Sequence, residues 1–179
     1  FEPTTLGAGG GRNYDNSPGG RGGYGGGAIR LVVDGGLTLD GEISARGESG
    51  IGGEQGGGGG GALWVTTGTL QGAGAFHADG GAGMTNGGGG AGGRIAVYYD
   101  TDAGFTGFTS STASGGTGRN VGGTGSAAFF ETAGPDPPLT VFQRFHFGPA
   151  TTALYGAIFV GNGGALIIGQ DSVITLSDD

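Results

Sequence analysis

The fold is decided by residues 87–99, which read Gly-Gly-Gly-Gly-Ala-Gly-Gly-Arg-Ile-Ala-Val-Tyr-Tyr. The stretch joins a glycine tract directly to a run of β-branched and aromatic residues, which is typical of a β-strand. Related blocks occur twice before it, and their apolar positions Ile29, Leu63 and Ile95 are 34 and 32 residues apart. Self-similarity at such a period predicts a repeat protein whose units stack on one another.

Each block is predicted to contain two strands. The predicted first strands are residues 28–33, 62–67 and 94–99, with a fourth at 127–130. The second strand is clearest in the first block, where apolar or small residues alternate with the polar residues Thr38, Asp40, Glu42, Ser44 and Arg46. A period of two is expected of a half-buried strand. We expect Gly35, Gly36 and Gly68 to form the turns between the two strands, because glycine accepts a positive φ.

Glycine tracts such as residues 56–61 and 87–93 follow the second strands and allow two interpretations. They are flexible surface loops, or they form a packed bundle of left-handed helices of the polyglycine II type, with three residues per turn. Ordering each glycine costs roughly 0.5–1 kcal/mol relative to alanine. Close approach of backbones without Cβ atoms can offset that cost through hydrogen bonds. Because the tracts keep register with the repeat, we expect ordered packing.

The distribution of glycine predicts two regions. Of the 51 glycines, 44 lie in residues 1–126, which we assign to a glycine-rich β repeat region. Residues 127–179 are assigned to a C-terminal β region of ordinary composition. Predicted strands of this region are residues 141–147, 157–160, 165–168 and 173–176, separated by turn residues. The short strands fit either antiparallel hairpins or consecutive edges of a β-solenoid.

Composition excludes several classes of function. The net charge is −8, and all seven basic residues are arginine. Nucleic acid binding is not expected, because a phosphate backbone requires a basic footprint. Without cysteine there are no disulfides, thiolate zinc sites or cysteine nucleophiles. No apolar run reaches the length of a membrane span, so we expect no membrane insertion.

Residues 35–47, 60–65 and 87–99 carry a resemblance to a known group. Their strings, such as Gly-Gly-Ala-Leu-Trp-Val at residues 60–65, resemble the glycine-rich repeats of very large secreted or cell-surface proteins of bacteria. The resemblance covers residues 7–130. It implies an adhesive or fibre-forming protein outside the cell, and it brings no catalytic motif.

Candidate catalytic groups are sparse. Asp40 and Glu42 project from one strand face, and a glycosidase requires paired carboxylates. The alternative is a solvated polar face, which the alanines at positions 73 and 75 of the next block favour. His77 and His146 are the only histidines and lie far apart in sequence. We therefore expect no enzymatic activity.

No cofactor is expected, although calcium is one open possibility. Asp34, Asp100 and Asp102 supply the oxygen ligands that calcium prefers. The alternative is that they are isolated carboxylates in turns. Residues 80–85 lack the aspartate that a nonapeptide calcium repeat requires.

Trp64 and Tyr98 lie on the strand face opposite the apolar anchors. Exposed aromatic rings on a sheet stack on sugars, whereas buried rings pack against a neighbouring layer. Both readings, ligand contact and packing, are open for these two residues.

Together these observations predict an all-β fold of stacked strand units, solenoid-like or sandwich-like, with ordered glycine segments and a smaller C-terminal β region. The predicted function is that of a structural subunit of an extracellular fibre or adhesin, which self-associates through strand edges. The candidate assembly strands are the segment Phe1 to Leu6 and the strand Val173 to Leu176. The alternatives are a glycan-binding adhesin tip and a polysaccharide-acting β-solenoid enzyme.

Overall fold

The computed structural model describes residues 1–12, 19–161 and 163–177. These residues contain no helix, so the predicted all-β class is confirmed. The strands are β1 (Ala28–Thr38), β2 (Glu42–Ser44), β3 (Ala62–Gly72), β4 (Ala75–His77), β5 (Arg94–Phe105), β6 (Ser126–Glu131), β7 (Leu139–Val141), β8 (Arg144–Phe147), β9 (Thr152–Tyr155), β10 (Ile158–Val160), β11 (Ala165–Ile168) and β12 (Val173–Leu176).

The repeat forms a parallel β-solenoid. Strands β1, β3, β5 and β6 lie side by side in one sheet, and Ile29, Leu63, Ile95 and Ala127 occupy equivalent positions in neighbouring strands. Strands β2 and β4 pair in parallel and form a second, shorter sheet. One sequence repeat is therefore one coil of the solenoid, as the spacing of the apolar anchors predicted.

The predicted turns at Gly35, Gly36 and Gly68 are wrong. All three glycines lie inside strands β1 and β3, and the ladder between these strands shifts register between Val33 and Gly36. A parallel neighbour supplies hydrogen bonds on each side of the irregularity, and glycine is the residue that such bulges favour. Positive φ values occur instead at Gly72 (107°), the last residue of β3, and at Gly104 (94°) in β5.

The core lies between the two sheets of the solenoid. Leu63, Val65, Ile95 and Val97 are fully buried on the inner face. Phe76 of the second sheet packs against Phe105 and Phe129 of the main sheet, with ring centroids 5.9 and 6.2 Å apart. The alternation of apolar and polar residues predicted the buried side of the second strand, since Leu39 and Ala45 are buried, but its extent is wrong, because Leu37 belongs to β1 and β2 spans only Glu42–Ser44.

The C-terminal strands form two further coils. Strand β7 runs antiparallel to β6, and β7, β8 and β9 then pair in parallel with β10, β11 and β12. The solenoid alternative is therefore the correct one. The single strand predicted over residues 141–147 is wrong, because the chain bends at Phe142 and Gln143 and places β7 and β8 in different sheets. Strand β9 was not predicted from the sequence. The boundary between a glycine-rich region (residues 1–126) and a C-terminal region (residues 127–179) stays a prediction.

Glycine-rich segments pack beside the strands as a bundle. Segments II, IV, VI and VIII lead directly into β1, β3, β5 and β6, and segments III, V and VII return from the second sheet. The segments are I (residues 7–11), II (22–27), III (45–50), IV (56–61), V (78–83), VI (87–93), VII (113–118) and VIII (122–125).

Segment IV shows how the bundle is held together. Its amide groups donate with a period of three residues: Gly56 and Gly59 to segment I, Gly57 and Gly60 to segment VI, and the remaining two to segment III, at 2.7–3.0 Å. A helix with three residues per turn and no internal hydrogen bonds directs successive amides to three different neighbours. The bundle therefore has the arrangement of polyglycine II, and the expectation of ordered glycine tracts is confirmed.

The close approach of the segments requires glycine. A Cβ added to Gly58 would lie 2.0 Å from the carbonyl oxygen of Tyr24, and one added to Gly57 would lie 1.9 Å from that of Gly81. Ala45, Ala78 and Ala113, at the starts of segments III, V and VII, are buried in the core, whereas other residues with side chains occupy outward positions of the three-residue period. Arg21 and Tyr24 are one such pair, and the Arg21 guanidinium lies 4.1 Å from the Tyr24 ring centroid.

Two alanine substitutions test whether glycines that contact a neighbouring segment are more sensitive to an added side chain than glycines that face open space. Gly58→Ala places a Cβ against backbone, whereas Gly27→Ala meets no atom within 4 Å. We expect Gly58→Ala to destabilise the protein by about 3 kcal/mol or more and Gly27→Ala to change stability by less than about 1 kcal/mol. Urea unfolding of both variants measures the difference. Equal stability of the two would contradict the packed bundle.

Candidate functional site

The first coil of the solenoid has an open strand edge. Among the described residues, β1 pairs with β3 on one side only. Its inner-face residues Ile29, Leu31 and Leu37 are half-buried, whereas the equivalent Leu63 in β3 is fully buried. This end of the core is therefore partly exposed, and the free backbone groups of β1 are available for a further strand.

The opposite end carries a second set of open edges. Strands β10, β11 and β12 each pair on one side only within the described part of the chain. Apolar side chains are exposed along them, including Phe159 at 58% and Val173 at 58%. Unpaired backbone and exposed apolar side chains occur together here, as they do at strand edges that bind another strand.

The two predicted assembly strands differ in their surroundings. The Phe1 ring packs edge-on against Phe145, with centroids 5.4 Å apart, and the Phe1 carbonyl accepts a hydrogen bond of 2.6 Å from the Tyr98 hydroxyl. Leu6 is exposed and directly precedes segment I. Residues Val173 to Leu176 form β12, which has an open edge. The second strand is thus the more accessible of the two.

Trp64 and Tyr98 lie on the outer face of the main sheet, in neighbouring strands. The Tyr98 ring stacks on Phe130, with centroids 4.5 Å apart and an interplanar angle of 10°. The Arg30 guanidinium lies 4.6 Å from the centroid of Trp64. One face of each ring is therefore covered by the protein itself, and the C-terminal strands pack beside Tyr98.

Burial changes the ionisation of three tyrosines. It raises the pKa of Tyr98 well above the usual value and raises the pKa of Tyr99 to about 12, because the phenolate form is poorly solvated there. Burial raises the pKa of Tyr155 as well. These rings remain neutral at physiological pH and serve as packing groups.

A polar cluster joins three coils on the face of the second sheet. Asp79 accepts hydrogen bonds from Arg46 (3.0 Å), from the Thr112 hydroxyl (2.9 Å) and from the Ser114 amide (2.8 Å). His77 shares a hydrogen bond of 2.8 Å with Thr112. The cluster therefore links neighbouring coils. Sequence reasoning missed Asp79 and Thr112, although Arg46, Asp79 and Thr112 are spaced by 33 residues and so follow the repeat.

The two carboxylates considered for catalysis each bind another group of the protein. Glu42 pairs with Arg46, and Asp40 accepts a hydrogen bond of 3.1 Å from the Ala73 amide in the next coil. His146 lies on β8, away from His77 on β4. Of these residues, His77 is the one that contacts a hydroxyl group, that of Thr112, and this hydroxyl donates to Asp79 within the polar cluster.

The three aspartates considered for calcium do not share a binding partner. Asp102 accepts hydrogen bonds from the amides of Gly104 (2.9 Å) and Phe105 (2.7 Å), and Asp100 accepts one of 2.5 Å from the Thr132 hydroxyl. Asp34 is exposed on β1. In residues 1–12, 19–161 and 163–177, no group of three or more acidic or histidine side chains is arranged to hold a metal ion.

Comparisons of the chain with models of protein families, with curated proteins and with solved structures returned no match. The described residues include no helix of the length and hydropathy needed to cross a membrane.

The buried tyrosines predict a loss of stability in alkali. In the unfolded chain a tyrosine ionises near pH 10, whereas Tyr99 in the folded protein ionises near pH 12. Below pH 10 the ionisation of Tyr99 therefore gives the free energy of unfolding no dependence on pH. As pH rises from 10 to 12, the free energy of unfolding falls by about 2 to 3 kcal/mol because of Tyr99. Urea unfolding at a series of pH values tests this. The decline should be smaller in Tyr99→Phe, and a flat profile in the native chain would contradict the prediction.

Proposed function

We propose that the chain is a non-catalytic structural segment of an extracellular or cell-surface fibre or adhesin, which assembles through its open strand edges. The observation that carries the proposal is that strands at both ends of the stacked coils are paired on one side only. Within residues 1–12, 19–161 and 163–177, β1 has an open edge at one end of the stack, and β10, β11 and β12 have open edges at the other.

The edge of β1 is only partly protected against pairing, although it has two charged residues and a register shift between Val33 and Gly36. Natural sheets shield an edge with charged residues, proline, a bulge or a covering loop. The β1 edge carries Arg30 and Asp34, but Val32 between them is 52% exposed and the inner-face residues are only half-buried. Another strand added here would form main-chain hydrogen bonds and bury apolar surface in one step.

The glycine bundle favours a mechanical role. Each segment is bonded to several others across the coils, so the bundle connects repeats that are far apart in sequence. Such cross-connection resists separation of the coils, which is a useful property in a fibre. The resemblance of residues 7–130 to repeats of bacterial surface proteins supports the extracellular location.

A charge placed on the β1 edge tests the proposal. Val32→Lys adds a charge to the open strand, whereas Val121→Lys makes the same exchange at a residue that is 71% exposed in the turn between segments VII and VIII. We expect the native chain to form elongated oligomers, Val32→Lys to weaken their formation about tenfold or more, and Val121→Lys to have no effect. Sedimentation velocity and negative-stain electron microscopy measure size and shape.

The oligomeric state of the native chain and of the two lysine variants shows whether the chain assembles through its strand edges. A chain that remains monomeric at every concentration tested would overturn the proposal. Equal loss of assembly in both variants would show that added charge, and not the strand edge, controls association. Val173→Lys extends the test to the opposite end and should weaken assembly as Val32→Lys does.

A further inference from the structure

A groove runs along one side of the glycine bundle. Its volume is about 1060 Å³, and its lining consists mainly of glycine backbone from segments I, IV and VI. Pockets for small molecules are lined predominantly by hydrophobic and aromatic side chains. The lining of this groove therefore points to a different kind of occupant.

The position of the groove follows from the neighbours of segment IV. Segments I, II, III, V and VI surround it, and hydrogen bonds join I to II, II to III, III to V, and V to VI. No hydrogen bond in the described part of the chain joins VI to I. The five neighbours thus form an incomplete ring around segment IV, and the groove is the opening between segments VI and I.

The hydrogen bonds of segment IV alternate around this ring. It donates to segments I, III and VI, and it accepts from segments II and V. A sixth neighbour between VI and I would continue the alternation by donating to segment IV. The carbonyl oxygens of Gly57 and Gly60 receive no hydrogen bond from the described residues. These two carbonyls are the acceptors that such a neighbour requires.

The walls of the groove supply matching donors. In segment VI, the amides of Gly90, Gly92 and Gly93 donate to other segments and that of Gly89 donates to Asn120, whereas those of Gly88 and Ala91 have no partner among the described residues. In segment I, the amides of Ala8, Gly9 and Gly11 are likewise without a partner there, and Ala8 and Gly11 are three residues apart. Donors and acceptors along the groove therefore repeat every three residues, in register with polyglycine II.

The floor of the groove leaves room for close approach of a backbone. A Cβ on Gly59 would point between segments I and VI, at 3.4 Å from the Ala8 amide nitrogen and 3.6 Å from the Ala91 carbonyl oxygen. At positions that face an existing neighbour, such as Gly57 and Gly58, the added Cβ would lie 1.9–2.0 Å from backbone. Glycine at position 59 is not required by the chain's own packing, but it would be required by an occupant.

The rim of the groove is basic in an otherwise acidic protein. Four of the seven arginines lie along it, namely Arg12, Arg94, Arg119 and Arg144. The acidic side chain along it is Glu54. The net charge of the chain is −8, so this concentration of positive charge is local. Negative side chains on the outward positions of an occupant would be complementary to it.

We propose that the groove binds a glycine-rich, acidic segment of another polypeptide, in the polyglycine II conformation, as the sixth neighbour of segment IV. Glycine is needed at two of every three positions, because those positions face segments I, IV and VI. The third position faces outward and carries an acidic residue. Such a strand would donate to Gly57 and Gly60 and accept from the unpaired amides of segments I and VI.

Synthetic peptides test the proposal. The probe is a capped peptide of about twelve residues, four turns of the helix, that repeats Gly-Gly-Asp. An Ala-Ala-Asp peptide of the same length and charge is the control for close approach, and a Gly-Gly-Ser peptide is the control for charge. We expect calorimetry to detect binding of Gly-Gly-Asp, weaker binding of Gly-Gly-Ser and no binding of Ala-Ala-Asp.

A substitution on the floor provides the matched variant. Gly59→Ala makes only ordinary contacts with the chain but places a methyl group in the groove. It should keep the native unfolding temperature and weaken Gly-Gly-Asp binding by about tenfold or more. Gly27→Ala, where the added Cβ meets nothing within 4 Å, should bind as the native chain does.

Three outcomes would overturn the proposal. They are the absence of Gly-Gly-Asp binding, equal binding of Ala-Ala-Asp, and unchanged binding in Gly59→Ala. Self-association that is lost in Gly59→Ala without any peptide would assign the groove to a second copy of this chain instead. The test is independent of strand-edge assembly, because Val32→Lys should leave peptide binding intact.

Discussion

Backbone-to-backbone hydrogen bonds between glycine segments are the interaction on which the rest of this structure depends. Segment IV alone donates six such bonds, to three neighbours, at 2.7–3.0 Å. Each bond contributes about 0.5–1.5 kcal/mol net, which is comparable with the extra cost of roughly 0.5–1 kcal/mol for ordering a glycine relative to an alanine. Since the segments lead directly into β1, β3, β5 and β6, their packing sets the register in which these strands stack.

The repeat explains how much of the fold could be predicted from sequence. The spacing of Ile29, Leu63 and Ile95 gave the strand register, and the alternation after Leu37 gave the buried face. The turns failed because Gly35 and Gly68 read as local breaks, although a parallel neighbour holds each of them within a strand. The bend at Phe142 depends on the antiparallel pairing of β6 with β7, which no local pattern encodes.

The candidate sites depend on contacts between coils, and sequence reasoning reached them only in part. Trp64 and Tyr98 were identified from their strand face, but their coverage by Arg30 and Phe130 comes from neighbouring strands. Asp79 joins Arg46 to Thr112 across coils, and its signal was a spacing of 33 residues. The groove could not be predicted, because it is defined by which segments lie beside segment IV and by the one side that none of them fills.

Residue-resolved amide hydrogen exchange tests the central claim most directly. If the segments are held by the hydrogen bonds described, the amides of Gly57, Gly58 and Gly60 exchange slowly, with protection close to that of the buried strand β3. The amide of Gly88, which lines the groove without a partner among the described residues, exchanges much faster. Uniformly fast exchange throughout segments IV and VI, in a sample whose strands are protected, would show that the glycine tracts are unstructured and would contradict the account.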